Sequence, residues 1–396
     1  MNLVREAERL ATENRFQADS ILHLINLYGI EETRYILKAL KTPGTRYFLR
    51  VNTLKISREE LLSDLKTNGF EVFPHPVIEE AIFLPVYGPY TVNLTPKKII
   101  ADKKAAESVY LGADLYAAGI LGVVGKIMPG DHVTIVDPNG FPVGEGIIMQ
   151  DVDEILNKKR GLAVKVINSV FKVPSIRELD VHKKGYVYDQ SLPAMIAVKN
   201  LDLKPGDKII DLCAAPGGKV THAAQLIGDN GKILAVDRSK PKIQKLRENV
   251  HRLGIKSIKI LEMDSRYLDL RINERDFDAV IVDPPCSSLG VRPKLGSNVS
   301  IKDMYALANY QIQFLKVAAE LVKKGGRILY STCTMTLYEN ELNILKIMKR
   351  CKLKLKYQKY FLGLTGFIHK IGDYVQRFLP NRHDTPGFFI AVLEKL

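Results

Sequence analysis

The sequence predicts an α/β protein: a Rossmann-like, doubly wound parallel sheet over residues 174–396, a small α+β region at 1–91, and a β-barrel inserted between them at 92–173. Three observations predict it. Apolar residues recur at three-to-four spacing near the amino terminus. A stretch around residue 140 alternates apolar and polar side chains about a Pro-Asn-Gly turn. From about residue 201, short apolar runs, several ending at an acid, alternate with helical segments. Parallel strands need crossover helices, so the last pattern belongs to a doubly wound sheet, whose ligands bind outside the carboxyl ends of the strands.

The elements follow in order. Ile21, Leu22, Ile25, Tyr28, Ile36, Leu37 and Leu40 mark helices in the first forty residues. "YFLRVNTLK" reads as a strand and "SREELLSDLKTNGF" as a helix, opened by a capping box of Ser57 and Glu60 and closed by Gly69; together they suggest a small RRM-like α+β unit. "YLGADLYAAGILGVVG" and "DHVTIVDPNGFPVGEGIIMQD" then give a glycine-punctuated β module. Five strands close the chain's pattern: "KIIDLCAAPGG", "KILAVDRS", "SIKILEMDS", "FDAVIVDPPCSS" and "GRILYSTCT", with helices such as "KPKIQKLRENVHRLG" between several of them.

Composition bounds the function. The 396 residues carry a formal charge of +14 spread along the chain, the balance expected of a partner of phosphate. Four cysteines form neither a disulfide framework nor a set of zinc spacing, so a reducing, cytoplasmic setting without a structural metal is expected. The first residues mix acids with bases, and no apolar run approaches the roughly 20 residues of a membrane span. A soluble monomer with no membrane or obligate protein partner is the expectation.

The chemistry lies at the strand ends. In "DLCAAPGGKVTHAA" a glycine pair joins a strand to a helix, but Cys213 and Val220 stand where a P-loop needs glycine and a hydroxyl, and no dinucleotide fingerprint is present. One strand on, Asp237 of "AVDRS" sits where an acid accepts ribose hydroxyls; Asp264 of "EMDS" ends the next strand and suits an adenine edge, the lesser alternative being that both merely cap helices. A glycine turn without a phosphate cradle, followed by two strand-end acids, suits S-adenosylmethionine. "VDPPCSS" then presents Asp283 and Cys286 on a stiff double-proline turn. Amino-methylating enzymes place an aromatic side chain after such a turn to stack on the base. A thiol there argues instead for attack on a pyrimidine ring.

Cytosine carbon 5 is too weakly nucleophilic to take a methyl group unaided. Thiolate addition at carbon 6 makes it enamine-like, and after methyl transfer a base removes the carbon 5 proton and the thiol leaves. Cys333 of "LYSTCTM", Cys286, Asp283 and Lys219 could supply such a set. No histidine neighbours Cys333, so positive charge must favour its thiolate. Lys219, set against the dipole in a first helical turn, is the best source in the sequence. Which cysteine attacks is open on this chemistry. The eight histidines and Cys351 form no constellation and read as surface or packing residues.

The segments "YVYDQSLPAM", "DLCAAPGGK", "AVDRS", "DPPCSS", "LYSTCTM" and "GFFIAVLEKL" resemble the Nop/Sun family of RNA cytosine-5 methyltransferases over most of residues 186–396. The resemblance implies a class I methyltransferase fold. It makes Cys333 the nucleophile and Cys286 the group that assists release of the methylated RNA. Cys213, Ala214, Ala215, Pro216, Gly217, Gly218 and Lys219, with Asp237, Arg238, Asp264 and Asp283, become the cofactor set, and Asp283 and Lys219 lie against the cytosine. Residues 92–173 resemble a PUA domain, an RNA-binding barrel. That domain order is similar to the branch acting on the tRNA acceptor stem near the CCA end. Pro386 of "HDTPGFF" departs from the family pattern, which has Asp there. The alternatives are an rRNA cytosine-5 methyltransferase, an RNA-binding or assembly factor with lost catalysis, and a thiol redox protein. Loss of a motif residue would favour the assembly factor, and all are present; the redox reading accounts for neither the glycine turn nor the barrel.

Overall fold

A computed structural model describes residues 2–396. The chain opens with three helices, α1 (Leu3–Asn14), α2 (Ala18–Tyr28) and α3 (Ile30–Leu40). Their apolar stripe is the predicted one: Leu10, Ile21, Leu24, Ile36, Leu37 and Leu40 are buried together. They pack against Leu289, Met304, Met335 and Leu379 from the far end of the chain, so these helices are a wall of the catalytic region.

Strand β1 (Arg46–Val51) and helix α4 (Arg58–Thr67) follow, and the Ser57–Glu60 capping box forms in full. β1 pairs antiparallel with β2 (Ala81–Pro85) on one side and, on the other, with β3 (Val187–Asp189). The sequence boundary at 174 puts β3 with the last segment, whereas its hydrogen bonds put it in the first sheet. A three-residue strand has too little pattern of its own to declare its partner.

Between β2 and β3 lies a six-stranded sheet whose order runs from Leu115–Tyr116 through Leu162–Ser169, Pro142–Ile148, His132–Val136 and Lys98–Ala101 to Ile120–Val124. The two outermost strands are joined by the short turn Ala117–Gly119, so the sheet must roll up around its own core, which includes Ile99, Val133, Ile135, Val143 and Val164. This is the expected barrel, and the Pro-Asn-Gly segment turns between its two central strands.

The third sheet contains β4 (Lys208–Asp211), β5 (Lys232–Asp237), β6 (Ile258–Glu262), β7 (Phe277–Val282), β8 (Val322–Thr332) and β9 (Phe388–Lys395). Its order is β6-β5-β4-β7-β8-β9, parallel as far as β8 and antiparallel from β9 outward. Helices α5 (Gly218–Leu226), α6 (Lys240–Leu253), α7 (Ile301–Leu321) and α8 (Glu341–Arg350) connect or cover it. All five predicted strands are present, and "GFFIAVLEKL" supplies the first antiparallel strand. The strand order reverses at β4, which opens a crevice at the carboxyl ends of β4 and β7.

One buried ion pair ties the amino-terminal helices to this sheet. Arg377 donates to Glu341 through Nε at 2.6 Å, to the Met335 carbonyl at 2.8 Å and to the Tyr28 hydroxyl at 2.9 Å. Tyr28 in turn donates to the same carbonyl at 3.0 Å, fixing the loop that follows Cys333. No helix among the described residues is long and apolar enough to cross a membrane.

Candidate active site

A cavity of about 550 Å³ opens at the carboxyl ends of these strands, where the crevice was expected. β4 delivers Asp211 and then the turn into α5. Asp211 is buried, which pushes its carboxyl up to about 7, and its Oδ1 accepts the Cys213 N–H at 3.0 Å. Within the turn Gly217 has φ +121°, a conformation that side-chain-bearing residues resist. The Ala214 N–H donates to the Val236 carbonyl at 3.0 Å and the Ala215 N–H to Asp237 Oδ2 at 3.3 Å, so the turn is laced to the end of β5.

β5 ends at Asp237, whose Oδ1 accepts the Ser239 N–H at 2.9 Å. Asp264, past β6, caps the short helix Ser265–Leu270 and also faces the cavity. Arg266 donates to it through Nε at 2.9 Å and Nη2 at 2.6 Å, and this hydrogen bonding holds the carboxyl below the usual range. Asp264 thus meets the cavity as an engaged carboxylate that also caps a helix, the alternative that the sequence left open for it. Arg238 stands at the rim, 3.9 Å from Asp264, with its guanidinium 5.7 Å from the centre of the Tyr310 ring.

β7 and β8 bring the reactive groups. Asp283 leaves β7 and the Pro284-Pro285 turn carries Cys286; Cys333 follows the last residue of β8. The two sulfurs, 47 residues apart in sequence, lie 3.2 Å apart. The Ser288 hydroxyl is 3.5 Å from Cys333 Sγ and 3.8 Å from Cys286 Sγ. Lys219 Nζ donates to Asp283 Oδ2 at 2.6 Å and lies 5.3 Å from the centre of the Phe388 ring, so the predicted lysine is a paired, largely buried cation rather than a solvated one.

The two thiols are not equivalent. A hydrogen bond from the Cys286 thiol holds Cys333 below its ordinary pKa against the opposing effect of burial; Ser288 and Lys219 act in the same direction. The same sulfur contact, with burial, pushes Cys286 well above the ordinary range. Positive charge and S–H donation therefore favour the thiolate on Cys333.

Of the sequence-predicted residues, Cys213, Ala215, Asp237, Arg238, Asp264, Asp283, Cys286 and Cys333 line the cavity. Ala214, Pro216, Gly217 and Gly218 form the turn behind it, and Lys219 reaches the site through Asp283. Several contributors are absent from the sequence reading. Ser331 donates to Asp283 Oδ1 at 2.8 Å; strand alternation puts it on the same face as Cys333, a signal that could have found it. Buried Glu339 accepts the Ser287 N–H at 2.8 Å and the Gln311 amide at 2.9 Å, locking the Cys286 turn to the loop after Cys333. Arg50 of β1 donates to the Gly218 carbonyl at 2.7 Å and to Thr221 at 2.8 Å, bracing α5 from the first sheet. His222, expected only to pack or face solvent, pairs with Glu80 at 2.7 Å in the buried core.

The lining fits an adenosine-type cofactor. Acids stand at successive strand ends, Tyr310 and Phe314 supply aromatic surface, and the Tyr310 hydroxyl is buried without a partner. A doubly wound sheet with this pocket, two facing thiols and an attached barrel defines a class I methyltransferase of the two-cysteine, RNA-directed kind. The comparisons with known proteins agree. Residues 198–394 match the family described as 16S rRNA methyltransferase RsmB/F, residues 97–170 match the PUA domain, and residues 21–91 match the ferredoxin-like domain of the RsmF/B-like methyltransferases. A Pyrococcus horikoshii protein named tRNA (cytosine(72)-C(5))-methyltransferase is 46% identical over 376 residues, covering 94% of this chain and 95% of that one. Human NSUN6, whose name gives the same activity, is 31% identical over 77% of this chain and 72% of its own length. The crystal structure of NSun6 from Pyrococcus horikoshii with SFG superposes with a TM-score of 0.88 at 42% identity, covering 96% of this chain and 99% of that one. The chain belongs to the Nop/Sun family of S-adenosylmethionine-dependent RNA cytosine-5 methyltransferases.

Proposed function

We propose that this protein methylates carbon 5 of a tRNA cytosine in the acceptor stem, at the position that its relatives' names give as 72, with Cys333 as nucleophile. The observation that carries the assignment is the unequal pair of thiols 3.2 Å apart at the edge of the cofactor cavity. Thiolate on Cys333 adds to carbon 6 of a cytosine flipped from its stack, and carbon 5 becomes the nucleophile. The bound cofactor supplies an electrophilic methyl group. Asp283, the carboxylate partner of Lys219 and Ser331, would accept a hydrogen bond from the ring's amino group, and the Lys219 ammonium would donate to N3, where addition builds negative charge. After methyl transfer a solvent water takes the carbon 5 proton, the freed electron pair re-forms the 5,6 double bond, and the bond from carbon 6 to Cys333 breaks with the sulfur leaving as thiolate. Cys286, which keeps its proton, stands where it can hand that proton to the departing Cys333 sulfur.

The barrel would hold the RNA's 3′ end by shape and phosphate contacts, and one chain carries the whole site, which supports a monomer. Two unlinked thiols this close call for a reducing compartment, and on that ground we place the protein in the cytoplasm. Labelled methyl transfer to bulk tRNA with nucleoside analysis tests the proposal. Wild type should yield 5-methylcytosine, Cys333→Ala none, and Cys286→Ala a covalent RNA adduct that survives denaturing electrophoresis. Methylation confined to 16S rRNA would overturn the substrate, and an adduct trapped by Cys333→Ala would reverse the cysteines.

A further inference from the structure

A second, larger cavity of about 950 Å³ adjoins the first. They share the Cys286 turn as a wall: Ser287 faces the larger cavity, while Cys286 and Ser288 face the cofactor side. Its other walls are the end of α1 at Arg15, the barrel turn Asp137–Asn139 and the segment Lys294–Val299. It therefore lies between the Cys286 turn and the barrel, and we call it the passage.

Lys294 lines this passage and is only 7% exposed, yet among the described residues its ammonium has neither a hydrogen-bond acceptor nor an ion-pair partner. Burial, with the charge of Lys103, lowers its pKa, while Glu107 and the two cysteines oppose that shift from beyond contact distance. Its backbone is fixed, for the Lys294 N–H donates to the Leu40 carbonyl at 2.7 Å and the Ser297 N–H to the Arg15 carbonyl at 2.7 Å. Most neighbouring charges are committed to other groups, while exposed Glu8 lines the cavity from α1 and the two thiols lie across the Cys286 turn. Arg15 is paired with Asp137, Asp303 caps α7, and Glu107 accepts the Leu295 N–H at 3.0 Å with Lys103 3.9 Å away. A largely buried lysine on a fixed backbone, whose ammonium opens into the cavity with no carboxylate within ion-pair distance among the described residues, is free to bind an incoming anion.

We propose that this cavity is a subsite for the RNA strand leaving the target nucleotide, with Lys294 as counter-ion to the phosphodiester on the 3′ side of the flipped cytosine. The inference rests on the reading that the barrel holds a 3′ end near the target, since that sets the direction of the strand across the passage. Lys103, at the rim, adds a second positive charge along the same path. Arg15 stays with Asp137 as a wall rather than a ligand.

The test pairs Lys294→Met with an acceptor-stem RNA carrying a single neutral methylphosphonate at the 3′ linkage of the target cytosine. Lys294→Met should raise Kd for unmodified RNA about ten- to a hundredfold, as loss of a charged hydrogen bond does. It should flatten the slope of log K against log salt by about 0.7 to 0.9, one phosphate contact fewer. Affinity for S-adenosylhomocysteine should not change. The methylphosphonate should weaken wild type by the same factor and leave Lys294→Met untouched. Wild-type affinity and salt slope in Lys294→Met, or equal weakening of both proteins by the methylphosphonate, would overturn the proposal. Should the variant not fold, moving the methylphosphonate along the RNA on wild-type protein decides the matter: the largest loss must fall at that 3′ linkage. Wild type that binds this RNA but transfers no methyl group to it would sink the functional reading, leaving the phosphate subsite to be judged on binding alone.

Discussion

The pair Lys219 and Asp283 offers the most direct test of how the site favours a thiolate. Their charged atoms lie 2.6 Å apart, with 11% and 33% of the side chains exposed. Two unit charges at that separation attract by about 6 kcal/mol at an effective dielectric near 20. That figure is a ceiling, because a third of Asp283 is open to solvent and both charges lose hydration in forming the pair. A measured coupling of about 1.5–3 kcal/mol is expected. Lys219→Met leaves Asp283 as an uncompensated negative charge close enough to oppose ionisation of Cys333, the direction in which it already acts. Single-turnover methyl transfer, and alkylation of Cys333 by iodoacetamide followed by mass spectrometry, should both slow about ten- to a hundredfold. Asp283→Asn removes the opposing charge, so in alkylation the double variant Lys219→Met/Asp283→Asn should regain most of what Lys219→Met lost. The four rates form a cycle. Strictly additive losses, with coupling under about 0.5 kcal/mol, would refute the view that the lysine acts through its pairing with Asp283.

Two further outcomes follow from the titrating groups. Cys333 should alkylate at lower pH than Cys286, and Cys286→Ala should move the Cys333 inflection upward, because it deletes the largest interaction favouring that thiolate; preferential labelling of Cys286, or an unmoved inflection, would contradict the asymmetry. His222 and His23 are held neutral, their pKa lowered to about 4 chiefly by burial, and His23 Nε2 accepts the Leu337 N–H at 3.2 Å. The unfolded chain therefore binds more protons between about pH 6.5 and 4, so stability is full above that window and falls as pH drops through it, by up to about 3 kcal/mol for each histidine. Glu80, whose carboxyl is lowered by His222 and Lys199 against burial, adds a loss in the same direction further down. Chemical denaturation of His222→Gln across this range should show a flatter pH dependence, and an unchanged slope would refute the assignment.

What was legible in the sequence, and what was not, divides by the range of the interactions. The strand-end residues Asp237, Asp264 and Asp283 were readable because each follows its own apolar run, and a parallel sheet brings all such ends to one edge. The capping box at Ser57 and Glu60 was readable because both partners lie within one helical turn. The order of the two cysteines was not, since it depends on a sulfur contact across 47 residues and on a lysine whose partner lies 64 residues away. β3 escaped because three residues carry no period, and Arg50, Glu80 and His222 because a polar residue in a strand or helix announces burial only when its partner is known.

Lys294 is the sharpest case. In sequence it is one of 58 lysines and arginines, and the ordinary expectation is a solvated side chain. It is set apart only by the loop after "DPPCSS" folding back under Leu40 and Arg15, which buries most of the side chain and leaves its ammonium without a direct ion-pair partner among the described residues. That loop also contains Leu289, which packs with the first helices, and Gly290, whose N–H donates to the Cys333 carbonyl at 3.0 Å. One short segment thus joins the reactive sulfurs, the amino-terminal helices and the passage to the barrel. The helices and barrel are then part of how the site admits RNA, for without them the loop would be free and Lys294 would be one more hydrated surface charge.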